Sequence, residues 1–421
     1  MIRVRSGARR SPLAAAVTLL AACASLRAEV PSAIAIKDAR VVTVSGEDLP
    51  KATVLLRGGL IQDVGAGLAI PQDAWVIEGA GLTVYPGFID GLSHWGLAPV
   101  TNPAPEVHAR GPEDRPQTYS FERAADRLDP RDRRLEAVRA AGFTAAATFP
   151  DRGIFEGLGA MISLGGAEVR DMVIAQPIGQ QVTFRITRGP ARSGYPASLM
   201  GNIAYVRQLY LDLDHYKQAK EMRQPGYDHA LEGLADSPRV LLPAEQAQQI
   251  DRMLNFAPEL KTPVVLYGLH EAYRRIETLK QTHVPLLVSL KWPEKPRDAG
   301  PNDTANYRLL LMREQAPAVP GMLAKAGLKF GFYSDGIDTA SGLRQALKKA
   351  LDAGLPRAAA IRALTLNVAE MYGMADRMGT IERGKMANLV ATRGDIFEEK
   401  SAIEYVFVGG RKFEPAKEVH E

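Results

Sequence analysis

The side chains best suited to chemistry in this sequence are its seven histidines and its single cysteine. They occur in none of the common catalytic spacings. The chain has no G-x-S-x-G elbow for a nucleophilic serine, no glycine-rich phosphate loop, no C-x-x-C pair and no H-E-x-x-H zinc motif. Arginines cluster around Arg185, where they either bind a substrate carboxylate through paired N–H groups or are ordinary solvated charge. Any chemistry must therefore come from polar residues that the fold brings together.

Residues 1–28 have the composition of a secretory signal peptide. They carry five arginines and no acidic residue, and the apolar stretch from Pro12 to Ala22 is too short to cross a bilayer. These five arginines outnumber the formal surplus of +4, so the chain is close to neutral once the leader is removed. We therefore predict an exported protein of the bacterial periplasm, with no electrostatic attraction for nucleic acid.

Two interpretations of the leader stay open. Leu20-Ala21-Ala22-Cys23 resembles a bacterial lipobox, in which Cys23 would be lipidated and would anchor the protein to a membrane. Ala22-Cys23-Ala24 is equally a small-x-small site for ordinary signal peptidase, which leaves Cys23 without a role. In both cases no disulfide can form within the chain, and stability must come from the core.

Two stretches far apart in the sequence share one β-strand pattern. Short apolar segments alternate with glycine turns, and the glycine pair at 58–59 is matched by another at 409–410. We predict that residues 33–85 and 376–415 form one small β-sandwich from both chain ends.

Residues 86–375 instead alternate apolar runs with helical patterns. About eight candidate strands, among them TPVVLYG and LKFGFYSD, alternate with candidate helices such as 199–222 and 342–353. This alternation is typical of α/β folds, and the number of strands favours a (β/α)8 TIM-type barrel. Two long charged, proline-rich stretches, 98–130 and 292–320, are predicted to shape a site or to cover it as a lid.

Four motifs follow one another along the chain: YPGFID at 85–90, YSDG at 333–336, ALTLNVAEMYG at 363–373 and MGTIERGKMANLV at 378–390. Together they resemble the amidohydrolase superfamily, specifically its imidazolonepropionase-like branch. The resemblance implies a (β/α)8 barrel, a small β-sandwich, and one or two divalent metal ions at the strand ends. It also implies that a metal-bound water attacks a C–N bond.

The same resemblance assigns roles to individual residues. It implies a divalent metal, zinc, held by His94, His270 and Asp335, with Asp335 as general base and His94 as a second catalytic residue. Tyr267 and His270, together with Arg185, are predicted to contact the substrate. Two positions that hold histidine in the family are occupied here by Leu92 and Pro243, which have no ligand atom. We therefore predict a reduced metal site, or no metal at all.

Two functional hypotheses follow. The first is an exported hydrolase that breaks C–N bonds in a small amide-like substrate, a non-peptide or cyclic amide. The second is a catalytically degenerate barrel that binds a ligand or partners an active relative, because Leu92 and Pro243 remove two ligands. Fold alone cannot choose between them, since function resides in the site. A homo-oligomer or association with a related amidohydrolase is compatible with both, and neither requires nucleic acid.

Overall fold

The computed structural model describes residues 33–98, 115–184, 196, 198–221, 226–295, 305–398 and 401–415. Within these ranges the chain is a mixed α/β fold with three sheets. No helix in the described part is both long enough and apolar enough to cross a membrane. The two residues predicted for lipidation and carboxylate binding, Cys23 and Arg185, lie outside the described residues.

The strands and helices are numbered in chain order. The strands are β1 (Ala33–Val41), β2 (Leu49–Arg57), β3 (Leu60–Gly65), β4 (Ala74–Glu78), β5 (Leu82–Pro86), β6 (Phe88–Ser93), β7 (Phe143–Thr148), β8 (Phe155–Leu158), β9 (Ala160–Ser163), β10 (Val173–Ala175), β11 (Gln180–Val182), β12 (Val240–Ala244), β13 (Val264–Gly268), β14 (Leu286–Ser289), β15 (Phe330–Tyr333), β16 (Leu389–Arg393), β17 (Ala402–Val408) and β18 (Arg411–Phe413). The helices are α1 (Arg134–Ala140), α2 (Val169–Met172), α3 (Leu199–Glu221), α4 (His229–Ala235), α5 (Ala247–Phe256), α6 (Ile276–Thr282), α7 (Tyr307–Gln315), α8 (Val319–Lys325), α9 (Ala340–Asp352), α10 (Arg357–Leu364) and α11 (Leu366–Met371).

The first sheet draws its strands from both ends of the described chain. Its order is β18-β17-β16-β5-β1-β2-β3, and β4 pairs with β1. The join between the two ends is the antiparallel pair of β5 and β16, in which Pro86 lies opposite Leu389. Alternate side chains of these strands, such as Ile36 and Phe407, point into one apolar cluster. Strands near the two ends therefore share one core.

The other two sheets carry the strands between these ends. One has the order β10-β9-β7-β6, and the other has the order β15-β14-β13-β12-β11-β8. Strands β11 to β15 are parallel, as expected for strands separated by helices. Three pairs, β7 with β9, β9 with β10 and β8 with β11, are antiparallel, which simple βα repeats do not produce.

The two sheets approach each other at β6 and β15. There the backbone N–H of Ser334 donates to Oδ1 of Asp90 at 3.0 Å. No strand ladder among the described residues connects the two sheets into a closed cylinder. The fold is mixed α/β, and the closed (β/α)8 barrel stays a prediction.

The end of β13 differs from the helical pattern expected there. A helix could begin at Glu271 by sequence, but only a short 3-10 turn, Ala272–Arg274, follows, and α6 begins at Ile276. The reason is a competing ion pair. The buried Glu271 carboxylate accepts N–H groups from Arg308 at 2.8 and 2.7 Å and the N–H of Ala247 at 2.9 Å. Glu271 thus connects α5, β13 and α7.

Removal of the charged partner of Glu271 should destabilise the protein. We expect Arg308→Met to lower the free energy of unfolding by about 2 kcal/mol, because the carboxylate stays buried while its half-exposed partner is lost. Urea unfolding measures this difference. The exposed Arg170, whose substitution by methionine should change little, is the control. Equal losses in both variants would contradict a specific role for the Glu271–Arg308 pair.

Candidate active site

Polar side chains gather at the carboxyl ends of the parallel strands β12 to β15. We call this group the polar site; its members are Glu245, Tyr267, His270, Ser289, Tyr333 and Asp335. Each lies at the last positions of its strand or within two residues beyond it. Because parallel strands end at the same edge of a sheet, these side chains share one face, and α/β enzymes hold their sites at this edge.

Asp335 is held by the neighbouring strand. The Ser289 hydroxyl donates to Oδ2 of Asp335 at 2.8 Å, and Ser289 lies opposite Tyr333 in the ladder of β14 and β15. Burial raises the pKa of Tyr333 well above its usual value, and the nearby charges of Asp335 and Glu245 raise it further. The buried Tyr333 phenol therefore stays protonated and can donate a hydrogen bond.

Tyr267 packs against Tyr333 at one side of the polar site. The two rings meet edge to face with centroids 6.0 Å apart. The Tyr267 hydroxyl donates to the carbonyl oxygen of Val182 at 2.8 Å, which connects β13 to β11. The structure thus places this predicted substrate contact in the polar site, with its hydroxyl engaged by backbone.

Glu245 and His270 form the second polar pair. Nδ1 of His270 lies 3.2 Å from Oε1 of Glu245. The imidazole is buried, with 4% of the residue exposed, whereas 49% of the Glu245 side chain is exposed. The hydrogen bond from His270 lowers the pKa of Glu245, since it stabilises the carboxylate, and burial opposes this only in part. Glu245 therefore presents a negative charge at the site.

Two residues of this region have left-handed backbone conformations that side chains other than glycine rarely adopt. Leu269, after β13, has φ +65°, and Asp335 has φ +51°. Such conformations store strain and are concentrated at functional sites, where the surrounding structure maintains them. Both occur at the polar site, one beside each polar pair.

A further carboxyl group lies buried behind Asp335. Oδ1 of Asp90 accepts the backbone N–H groups of Ser334 and Leu92 at 3.0 and 3.3 Å. Burial raises the pKa of Asp90 to about 7, and the charge of Asp335 adds to this effect. Asp90 is therefore a carboxyl group that gains or loses its proton near neutral pH.

His94 directly follows β6. Its Nδ1 is 2.8 Å from the carbonyl oxygen of Phe149, so this nitrogen carries the proton and donates it. Its side chain lines a cavity of about 520 Å³ whose wall includes Arg127, Arg133 and Arg134. Among the described residues, no hydrogen bond or ion pair joins His94 to His270 or Asp335.

The described residues do not fit a catalytic metal ion. A zinc site of this kind needs about three protein ligands, and no group of three or more histidine, cysteine, aspartate or glutamate side chains in the described ranges could hold an ion. Leu92 is buried in an apolar cluster with Leu287 and Tyr333, and Pro243 lies in β12 opposite Tyr267. We therefore derive no step of the reaction through a metal.

Sequence reasoning missed Glu245, Ser289 and Tyr333 as members of the site. Each is a polar residue at the end of a short apolar run: VLLPAE, LLVS and FGFY. Functional side chains of parallel sheets occur at the carboxyl ends of the strands. A polar residue at the end of an apolar run was therefore the sequence feature that could have identified these three residues. Their mutual contacts had no such signal, because they depend on the pairing of strands distant in sequence.

Residues 262–413 match the family model described as "Amidohydrolase family". This stretch contains β13, β14 and β15, and with them five of the six residues of the polar site. The match supports the amidohydrolase superfamily. A curated relative, adenine deaminase of Rubrobacter xylanophilus, is 40% identical over 96 residues. That alignment covers 22% of this chain and only 16% of the length of the relative.

Solved structures show the same fold. An amidohydrolase from Thermotoga maritima MSB8 has a TM-score of 0.74 at 24% identity, covering 90% of this chain and all of that one. A Xaa-Pro dipeptidase with bound methionine in its active site has a TM-score of 0.56 at 15% identity, covering 91% of this chain and all of that one. At these identities the likeness establishes the amidohydrolase-type fold alone.

Proposed function

We propose that this protein is a hydrolase that breaks C–N bonds in small molecules. The bonds are those of non-peptide or cyclic amides, and Asp335 is the general base. The observation that carries the proposal is the Ser289–Asp335 pair at the ends of β14 and β15, inside the stretch that matches the amidohydrolase family. The name of the curated relative, a deaminase, denotes the same kind of bond cleavage. The imidazolonepropionase-like branch is part of the proposal and is supported by the four motifs.

The chemistry assigned to the chain is acid–base catalysis. Asp335 takes a proton from water as the water oxygen bonds to the substrate carbon, and it gives that proton to the nitrogen as the C–N bond breaks. Ser289 orients the Asp335 carboxylate through its hydrogen bond. The protonated Tyr333 phenol can donate to the oxygen or nitrogen on which negative charge develops.

A substrate panel tests this function. Purified protein is incubated with linear amides, cyclic amides and adenine, and release of amine, ammonia or carboxylate is followed with and without added Zn²⁺ or Mn²⁺. We expect turnover of at least one class. Since superfamily members typically use a divalent metal, the same preparation is analysed for bound metal. A folded protein that turns over no member of the panel, with or without metal, would overturn the proposal.

A second candidate function is that of a degenerate ligand-binding protein or a partner subunit. It is favoured by Leu92, whose side chain fills a ligand position with apolar packing. In that case members of the panel should raise the melting temperature without being consumed. Association with a second copy or with a related amidohydrolase would then appear in sedimentation. Hydrolysis that disappears in Asp335→Asn would exclude this candidate.

We also propose export to the periplasm, on the evidence of the arginine-rich and apolar leader. The role of Cys23 separates the two interpretations of that leader. If Cys23 is lipidated, wild-type protein should sediment with membranes and Cys23→Ser should not. If ordinary signal peptidase acts, both proteins should be found in the periplasmic extract.

A further inference from the structure

Glu245 is a carboxylate held in a defined position at the open edge of the sheet. It directly follows β12, half of its side chain is exposed, and the buried His270 contacts it through Nδ1 at 3.2 Å. A surface glutamate without a partner would sample many rotamers. Here the imidazole orients the carboxylate, and about half of the side chain stays accessible.

The contact with Glu245 is the only hydrogen bond that the His270 ring makes among the described residues. In the structure Nε2 is buried and has no hydrogen-bond partner among the described residues. A buried nitrogen without a hydrogen bond is unfavourable, and such groups often mark a functional role.

The backbone at this point is also closely fitted. The carbonyl oxygen of Glu245 accepts the N–H of Glu271 at 2.9 Å, and that of Ala244 accepts the N–H of Leu269 at 3.1 Å. Gly268, with φ +107°, passes so near that a Cβ there would lie 3.0 Å from Cα of Glu245. The end of β12 and the turn after β13 are therefore fixed to each other.

The charges around the polar site indicate what it can bind. The negative charges of Glu245 and Asp335 both act electrostatically on the buried Tyr333 phenol. Asp335 already accepts the Ser289 hydroxyl, whereas the outer face of Glu245 is open. A carboxylate in this setting attracts cationic or N–H-bearing groups and repels anions.

We propose that Glu245, with His270 as its positioning residue, binds a nitrogen-bearing group of the substrate, an amine or an amidine, and so selects nitrogen-rich substrates. An amidinium offers two parallel N–H donors that match the two oxygens of a carboxylate. The inference rests on the proposed function, because hydrolysis is the reaction that would follow binding. Binding itself can be measured without turnover.

Benzamidine and benzamide are matched probes because they have nearly the same shape and differ in charge. Their dissociation constants are measured by calorimetry with the full-length chain. We expect wild-type protein to bind benzamidine at least about tenfold more tightly than benzamide, and Glu245→Gln to reduce that ratio to about two or less. The matched control is Glu168→Gln at an exposed glutamate, which should keep the wild-type ratio.

Two His270 variants test the positioning role. Asparagine can donate from a position close to that of Nδ1, whereas leucine cannot, so His270→Asn should retain most of the preference and His270→Leu should lose it. The ratio of the benzamidine and benzamide affinities measures selectivity. A general loss of packing would weaken the binding of both probes and would leave this ratio the same in the two variants.

Equal affinities for the two probes in wild-type protein, or no measurable benzamidine binding, would overturn the inference. So would an unchanged ratio in Glu245→Gln. If His270→Leu fails to fold, the Glu245→Gln result decides alone. A protein that shows the expected selectivity but hydrolyses nothing would retain this inference and lose the proposed function.

Discussion

Asp335→Asn is expected to lower kcat/KM for C–N hydrolysis by about 10²- to 10⁴-fold, the range that a general base contributes. Asparagine has nearly the same size, and its carbonyl oxygen can still accept the Ser289 hydroxyl, so the local structure should persist. What the variant loses is the negative charge that takes a proton from water. Steady-state kinetics on the best substrate of the panel measures the effect.

The matched control for this variant is Asp338→Asn. Asp338 lies three residues further along the same loop and is exposed, so its substitution should leave the rate close to that of wild type. Thermal melts of both variants establish that they are folded. Comparable losses at positions 335 and 338, or a rate for Asp335→Asn above about a tenth of wild type, would remove Asp335 from proton transfer.

The second large effect is a dependence of stability on pH that originates at Asp90. Burial holds its pKa at about 7 in the folded protein, whereas an unfolded chain has the ordinary value near 3.8. Between these values the folded state keeps a proton that the unfolded state releases, so the free energy of unfolding falls as pH rises. The fall should total on the order of 4 kcal/mol between about pH 4 and pH 7 and level off above.

Asp90→Asn isolates this contribution, since other groups titrate in the same interval. Asparagine imitates the protonated carboxyl and can still accept the N–H groups of Ser334 and Leu92 through Oδ1. The variant should resemble wild type near pH 4 and exceed its stability at pH 8. Urea unfolding at several pH values gives both curves, and the exposed Asp352→Asn is the control. Parallel curves for wild type and Asp90→Asn would show that Asp90 is ionised throughout.

Local features of the structure were predictable from the sequence. Apolar runs identified the strands that lead into the polar site, and glycine pairs marked the turns of the first sheet. The sequence pattern fails to predict an element where a side-chain contact interrupts the helix that the pattern indicates. The helical pattern after Ala358 is divided into α10 and α11 at Thr365, whose backbone leaves the helical region and whose hydroxyl donates to the carbonyl oxygen of Ile361.

The candidate site was predictable only in part. The motifs and the family resemblance named Asp335 and His270, which lie in the polar site, and His94, which lines a cavity that none of the polar-site residues lines. They did not name Glu245, because its importance comes from a contact with His270, 25 residues further along the chain. The spacing of polar and apolar residues along one strand does not show which other strand lies beside it in the sheet.

The sequence by itself therefore determined the strands that lead into the polar site, the resemblance to amidohydrolases, and the apolar residues Leu92 and Pro243 at positions where the family holds histidine. Only the tertiary structure decided that Asp335 pairs with Ser289, that Glu245 pairs with His270, and that the charges of both carboxylates act on the buried Tyr333. The physical reason is that periodicity records the burial of each residue, whereas distances between strand ends depend on long-range pairing.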